Sequence, residues 1–292
     1  MRWFAPELND TEFGAYAMNY HSRNPYISTI GTVAPSTAGQ AARLLGARYF
    51  IDYPEDIRLY GLSFQTNAGG TSLGGEISYR PNMPLQLNTT DVNLAAIQQP
   101  GASPIAFNGA GQVINGYERM PVLQAQMTAT QFFDQVWGAD RLTLVGEAGY
   151  NRINGLGRSD GTGPRFGRNP VFGSGVVPGG LNGCANPVTN PQQECNSHGF
   201  YTTDSWGYRM RAKLDYSNVF AGINLSPNLA WSHDVEGYGP NFEEGSKAVS
   251  IGVDADYLTA YTASLSYTDF FGGDFNTNTD RDFVALSFGV NF

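Results

Sequence analysis

Charge is what this 292-residue chain has least of. Asp, Glu, Lys and Arg make up 15% of it, against roughly 25% in an average soluble domain. Basic residues number 17 against 26 acidic ones, so phosphates would be repelled and a nucleic-acid partner is excluded. Long apolar runs are missing as well. No stretch reaches the roughly 18 consecutive apolar residues that an α-helical membrane span needs. The start, "MRWFAPELND", lacks a basic segment followed by an apolar one, so these residues are not expected to be a secretory signal. Cysteine is nearly absent: Cys184 and Cys195 are the only two. Both sit in "GGLNGCANPVTNPQQECNSHG", a Gly/Pro/Asn-rich loop, and a disulfide is the expected pairing if the chain is exported. Closing that loop would stabilise by roughly 3 kcal/mol on the chain-entropy estimate. A zinc site with His198 as third ligand lacks a fourth partner at suitable spacing. No metal or cofactor is expected.

What the chain does have is 36 Gly, 16 Tyr, 18 Phe and 41% hydrophobic residues, a mixture that favours strands and turns over helices. The strands announce themselves by alternation. In the terminal "DRDFVALSFGVNF", Val284, Leu286, Phe288, Val290 and Phe292 fall on one side, and Ala285, Ser287, Gly289 and Asn291 on the other. That period of two means a β-strand with one apolar face. "SWGYRMRAKLDY" sets Trp206, Tyr208, Met210, Ala212, Leu214 and Tyr216 against Arg209, Arg211, Lys213 and Asp215. "KAVSIGVDADY" sets Val249, Ile251, Val253, Ala255 and Tyr257 against Ser250, Gly252, Asp254 and Asp256. "RLTLVGEAGYN", "VLQAQMTAT" and "TSLGGEISYR" repeat the pattern, with Glu147 and Glu76 on their polar sides. Further strands are expected near 12–22, 57–67, 219–232 and 260–270, with a partial one at 1–5. That makes about ten full strands.

The connections alternate in length. Long ones are expected at about 23–56, 81–119, 154–204, 233–246 and 271–280. Short ones fall near 6–11, 67–71, 133–140, 217–219 and 257–260. In an up-and-down sheet this puts every long loop at one end, the asymmetry of transmembrane β-barrels. The polar face carries too many charges for a dry core. A membrane barrel turns that face to a wet lumen and the apolar face to lipid. Alternation alone does not say which face is inside. Loop segregation and the aromatic strand ends (Trp206, Tyr208, Tyr216, Tyr257, Tyr261, Tyr267) favour the membrane barrel over a soluble all-β domain. The expected fold is therefore an all-β, antiparallel up-and-down transmembrane β-barrel, in the bacterial outer membrane.

The closing strand, with Phe288 and Val290 before a final Phe292, resembles the assembly signal of bacterial outer-membrane proteins. "NDTEFGAYAMNYHSRNP", "GGEISYRPNMPLQLN" and "SYTDFFGGDFNTNTDRDFVALSFGVNF" resemble the C-terminal half of a proteobacterial family known from pseudomonads, catalogued as the domain of unknown function 1302. The resemblance runs from near residue 1 to residue 292 and implies an outer-membrane barrel, with no established substrate and no catalytic residues. Members are about twice this length, so a C-terminal fragment forming one barrel domain over 1–292 is expected. It would be completed by a first half, by a second chain, or by closing on its own strands. Implied partners are outer-membrane lipid, lipopolysaccharide and the barrel assembly machinery.

Four further features carry candidate chemistry. "DFNTNTD" places Asp274, Asn276, Asn278 and Asp280 at a calcium-like spacing but lacks the glycine and distal glutamate of a complete loop; turn geometry is the expected use of these residues. The 81–119 connection is unusually apolar, with Met83, Leu85, Leu87, Val92, Leu94, Ile97, Ile105 and Phe107. It either enters the lumen or caps the rim. Histidine occurs three times, and none lies in a hydrolase motif. An enzyme is not expected; for an outer-membrane hydrolase, His233 beside Asp234 and Glu236 would be the candidate. Finally, Arg209, Arg211 and Lys213 form a row of cations on one wall, with Glu147, Asp254 and Asp256 on neighbouring strands. That row either rigidifies the wall or binds an anionic group. The expected function is passage of a small apolar or amphiphilic substrate, the alternative a structural or adhesive surface role played by the loops.

Overall fold

The computed structural model describes residues 1–98, 101–177 and 195–291; Cys184 and Phe292 lie outside them. Strands β1 (Arg2–Ala5) and β2 (Thr11–Tyr20) come first. The next connection carries β3 (Tyr26–Ile30), α1 (Gln40–Gly46) and β4 (Arg48–Asp52). β5 (Ile57–Ala68) and β6 (Thr71–Gln86) are followed by α2 (Thr89–Ala96) and the short β7 (Val113–Ile114). β8 (Tyr117–Asp134), β9 (Arg141–Ile153), β10 (Asp204–Phe220), β11 (Ile223–Glu236), β12 (Lys247–Tyr257), β13 (Tyr261–Phe271) and β14 (Phe283–Val290) complete the chain.

Among the described residues, eleven strands form one sheet in the order β1-β2-β5-β6-β8-β9-β10-β11-β12-β13-β14. Every neighbouring pair is antiparallel, so the sheet is an up-and-down meander. All ten expected strands are present, the stub at 1–5 makes the eleventh, and the long connections share one end. Among the described residues β1 pairs with β2 and β14 with β13, and no ladder joins β1 to β14.

One turn was misplaced. The turn expected at 217–219 is a bulge in β10, where the register slips between Tyr216 and Phe220 and Asn218 adopts φ 49°. The ladder then resumes, Phe220 pairs with Ile223, and Ala221-Gly222 turn the chain with φ 50° and 86°. Two positive φ values give the type I′ twist that matches a hairpin. Gly69-Gly70 close β5–β6 in the same way, at φ 59° and 85°.

Cross-strand registers sort the side chains into two faces. Leu229, Ile251, Tyr267 and Val284 lie side by side on four consecutive strands, as do Val253, Leu265 and Leu286. This face is exposed: Ile251 is 62% accessible, Leu286 64% and Phe288 77%. The opposite face carries Ser78, Gln124, Asn151 and Ser205 in one row, and Ser78, Asn151 and Ser205 are buried.

The apolar core lies among the long connections, not inside the sheet. Leu85, Leu87, Val92, Ala95, Ala96, Ile114 and Phe166 cluster with Met120, Val122 and Ile153 from the extended ends of β8 and β9. The 81–119 connection therefore packs as a cap: residues 81–86 prolong β6, and α2 sits on a small β4-β3-β7 sheet. Asn88 caps α2, accepting from the Asp91 N–H. Asp91 is paired twice with Arg165 from the 154–203 connection, at 2.9 and 2.5 Å, with neither side chain accessible. The Arg165 guanidinium lies 4.4 Å from the centre of the Phe200 ring.

Candidate functional site

The sequence hides its most telling feature in two glycines. Gly149 of β9 and Gly207 of β10 sit directly opposite each other on the polar face, in a row that runs Glu76, Gln126, Gly149, Gly207, Asp234. Without side chains they leave a bare floor. The Phe242 ring, from the 237–246 connection, lies on it: a Cβ on Gly149 would come within 2.9 Å of the ring, and one on Gly207 within 3.0 Å. The connection between β11 and β12 is thus folded over the polar face.

Asp234 holds it there. Its carboxylate accepts the Glu243 N–H at 2.9 Å and pairs with Arg209 Nη2 at 2.6 Å. Its backbone N–H donates to Ser246, and its carbonyl accepts from Gly245. Asn241, beside Phe242, accepts from Gln124 Nε2 at 3.2 Å. Gln124 also donates to Asn151 at 2.9 Å and accepts from Arg80, which donates in turn to the Tyr20 hydroxyl. Between the folded connection and the strands is a cavity of about 330 Å3, lined by Glu76, Arg80, Gln126, Glu147, Arg209 and Phe242 among others. Glu243, next to Phe242, is half-buried and borders a separate cavity with Asp234, Tyr201 and Tyr238. Burial, then repulsion from Asp234, pushes its carboxyl up to about 7.

The row of cations is differently partnered from the sequence-based expectation. Arg209 faces Glu147 across the β9–β10 ladder, yet its ion pair is with Asp234. Lys213 pairs with Asp215 of its own strand at 2.8 Å. Glu147 accepts from Thr128, Asp254 from Asn228, and Asp256 from the Thr259 N–H at the β12–β13 turn. Arg211 stands between Val145 and Ala230 on the adjoining strands, and among the described residues nothing accepts its hydrogen bonds.

Other expectations resolve locally. His233 lies on the apolar face, edge-on to Tyr208 at 5.6 Å, opposite the side taken by Asp234. The two point apart because neighbours on a strand must. Asn276 accepts from the Asn278 N–H and donates to Gly272, so it serves the turn. Phe288 and Val290 are exposed on the apolar face. The Cys184–Cys195 pairing falls partly outside the described residues. Phe242, Asn241 and the clamp at Asp234 were not anticipated; the available signal was glycine at two strand positions where a side chain was due.

These features define a class: an all-β protein on an antiparallel meander, apolar on one face, with charged groups and a cavity on the other. The family described as "Protein of unknown function (DUF1302)" matches residues 1–292, and the chain belongs to it. No curated protein matches the chain.

Proposed function

We propose that this chain forms, or helps to form, an outer-membrane β-barrel through which a small apolar or amphiphilic substrate passes. The observation that carries the reading is the inversion of the sheet's two faces. Leucine, isoleucine and aromatic side chains are exposed, while Glu76, Arg80, Glu147 and Arg209 gather round a cavity. A soluble protein rarely exposes so large an apolar surface; lipid covers it without cost, and the polar face becomes a wet lumen. Closure belongs to the proposal too, since a free strand edge in lipid leaves backbone groups unpaired. It comes either from β1 meeting β14 or from strands of another segment or chain. The 237–246 connection, seated on Gly149 and Gly207, narrows the passage. The role is non-enzymatic. The surface-protein reading is favoured by a different observation, the interlocked cap with its buried Asp91–Arg165 pair, which would present a fixed outer surface.

Reconstitution into liposomes separates the two. The passage reading expects swelling in a neutral amphiphile that lipid itself excludes, such as phenyl glucoside, faster when Phe242 is replaced by Ala. Vesicles holding folded protein that stay impermeable to such solutes, with Phe242→Ala no different, would favour the surface role.

A further inference from the structure

We propose that Arg211 is the recognition point for a carboxylate on an otherwise apolar substrate; this rests on the passage reading above. Three cations share one row, and two are spoken for. Arg209 is neutralised by Asp234 and Lys213 by Asp215. Arg211 has no acid and no acceptor among the described residues. It opens into a second cavity of about 320 Å3, whose lining adds Val145, Ala230, Ala248, Ser232 and Ser250. The registers explain this composition: Arg211 faces Val145 on one side and Ala230 on the other, and Ala230 faces Ser250.

Met210 and Trp231 border it as well, so the lining is mostly apolar round one unpaired guanidinium, with Glu147 and the paired Arg209 its other charged members. A guanidinium presents a planar fork of donors that matches a carboxylate at two points. With weakly polar walls the attraction is less screened than in bulk water. Val145 and the alanines then suit a short hydrocarbon or aromatic body. A polyanion fits poorly, because Glu147 and the cation Arg209 also border this space and Arg209 is already paired. Glu147 is the one carboxylate in the described lining. It sits diagonally across the β9–β10 ladder from Arg211 and competes with an incoming anion. The class that fits is a monocarboxylate with a compact apolar body.

Benzoate and its neutral counterpart benzamide serve as probes, with the full chain in lipid nanodiscs and binding followed by saturation-transfer NMR. Arg211→Gln is expected to weaken benzoate binding about tenfold or more, the scale of losing a charge-assisted hydrogen bond. Lys213→Gln, whose cation is already matched, leaves benzoate binding unchanged. Glu147→Gln tightens it, and this arm decides the matter if Arg211→Gln fails to assemble. Equal benzoate affinity in wild type and Arg211→Gln overturns the proposal. So do benzamide binding as tightly as benzoate, and unchanged affinity in a folded Glu147→Gln variant. Phenyl glucoside flux into liposomes tests the passage reading separately, because it needs no cation: flux with Arg211 irrelevant to benzoate sinks only the carboxylate site.

Discussion

At the scale of single residues, the polar face is organised by pairings between strands and by two bare glycines under Phe242. Alternation is enough to put Arg209, Arg211, Lys213, Glu147 and Asp254 on one side. It does not give their pairing: Asp234 reaches Arg209 diagonally across the β10–β11 ladder, facing Gly207 while Arg209 faces Ser232, and no periodicity announces that. The glycines at 149 and 207 read as gaps in a pattern until Phe242 is seen to fill them. Gly149→Ala places a methyl within 2.9 Å of that ring. It is expected to loosen the 237–246 connection, seen as faster proteolysis there. Gly146→Ala meets nothing within 4 Å and should change nothing; equal proteolysis of the two variants would refute the seating. Glu243 gives the same connection a pH dependence. Its carboxyl is raised to about 7 when seated, so the seated form binds its proton more tightly than a free carboxyl does. Seating is therefore favoured most below the ordinary carboxyl range and weakens as pH rises through about 7. Conductance in planar bilayers should be higher at about pH 8 than at about pH 5, and Glu243→Gln should flatten the difference. A wild-type channel with the opposite slope would contradict this.

Among elements, strands with a clean period of two were visible; a cap was one of two readings of the 81–119 connection, and its short elements were not visible. β3, β4, β7, α1 and α2 are short and lie within long connections. Helices of this length do not hold in water by themselves. They form because Leu85, Val92, Ile114 and Phe166 bury one another, a tertiary fact. The Asp91–Arg165 pair ties the 81–119 and 154–203 connections together inside that core. Arg165→Leu leaves the Asp91 carboxyl buried without a partner, an expected cost of about 3–5 kcal/mol to the cap. Hydrogen exchange should then accelerate in α2 and around 164–176, with β12 and β13 unaffected. Unaltered protection of α2 would mean that apolar packing alone holds the cap. The double replacement Asp91→Leu with Arg165→Leu removes both charges and should recover part of the loss.

For the whole molecule, the question is which face meets lipid, and two adjacent residues of β13 put it most sharply. Leu265 is 48% exposed and faces Val253 and Leu286 on its neighbours. Ser264, one step away, faces Asp254 and Ser287. Both lie near the middle of an eleven-residue strand, hence near mid-bilayer if the sheet spans. An arginine at Leu265 would then enter hydrocarbon and cost about 2–4 kcal/mol. An arginine at Ser264 would enter the lumen beside the Asp254 carboxylate and cost little. Unfolding from phosphocholine vesicles in guanidinium chloride measures both, since the change exposed is local and the reference is the same chain. A soluble sheet with its polar face to water would tolerate both arginines about equally, because Leu265 is exposed in either case. A barrel with its faces reversed would punish Ser264→Arg instead. Only lipid on the leucine side makes two substitutions one residue apart differ by several kcal/mol in that direction, so the sign of the difference decides between the three arrangements.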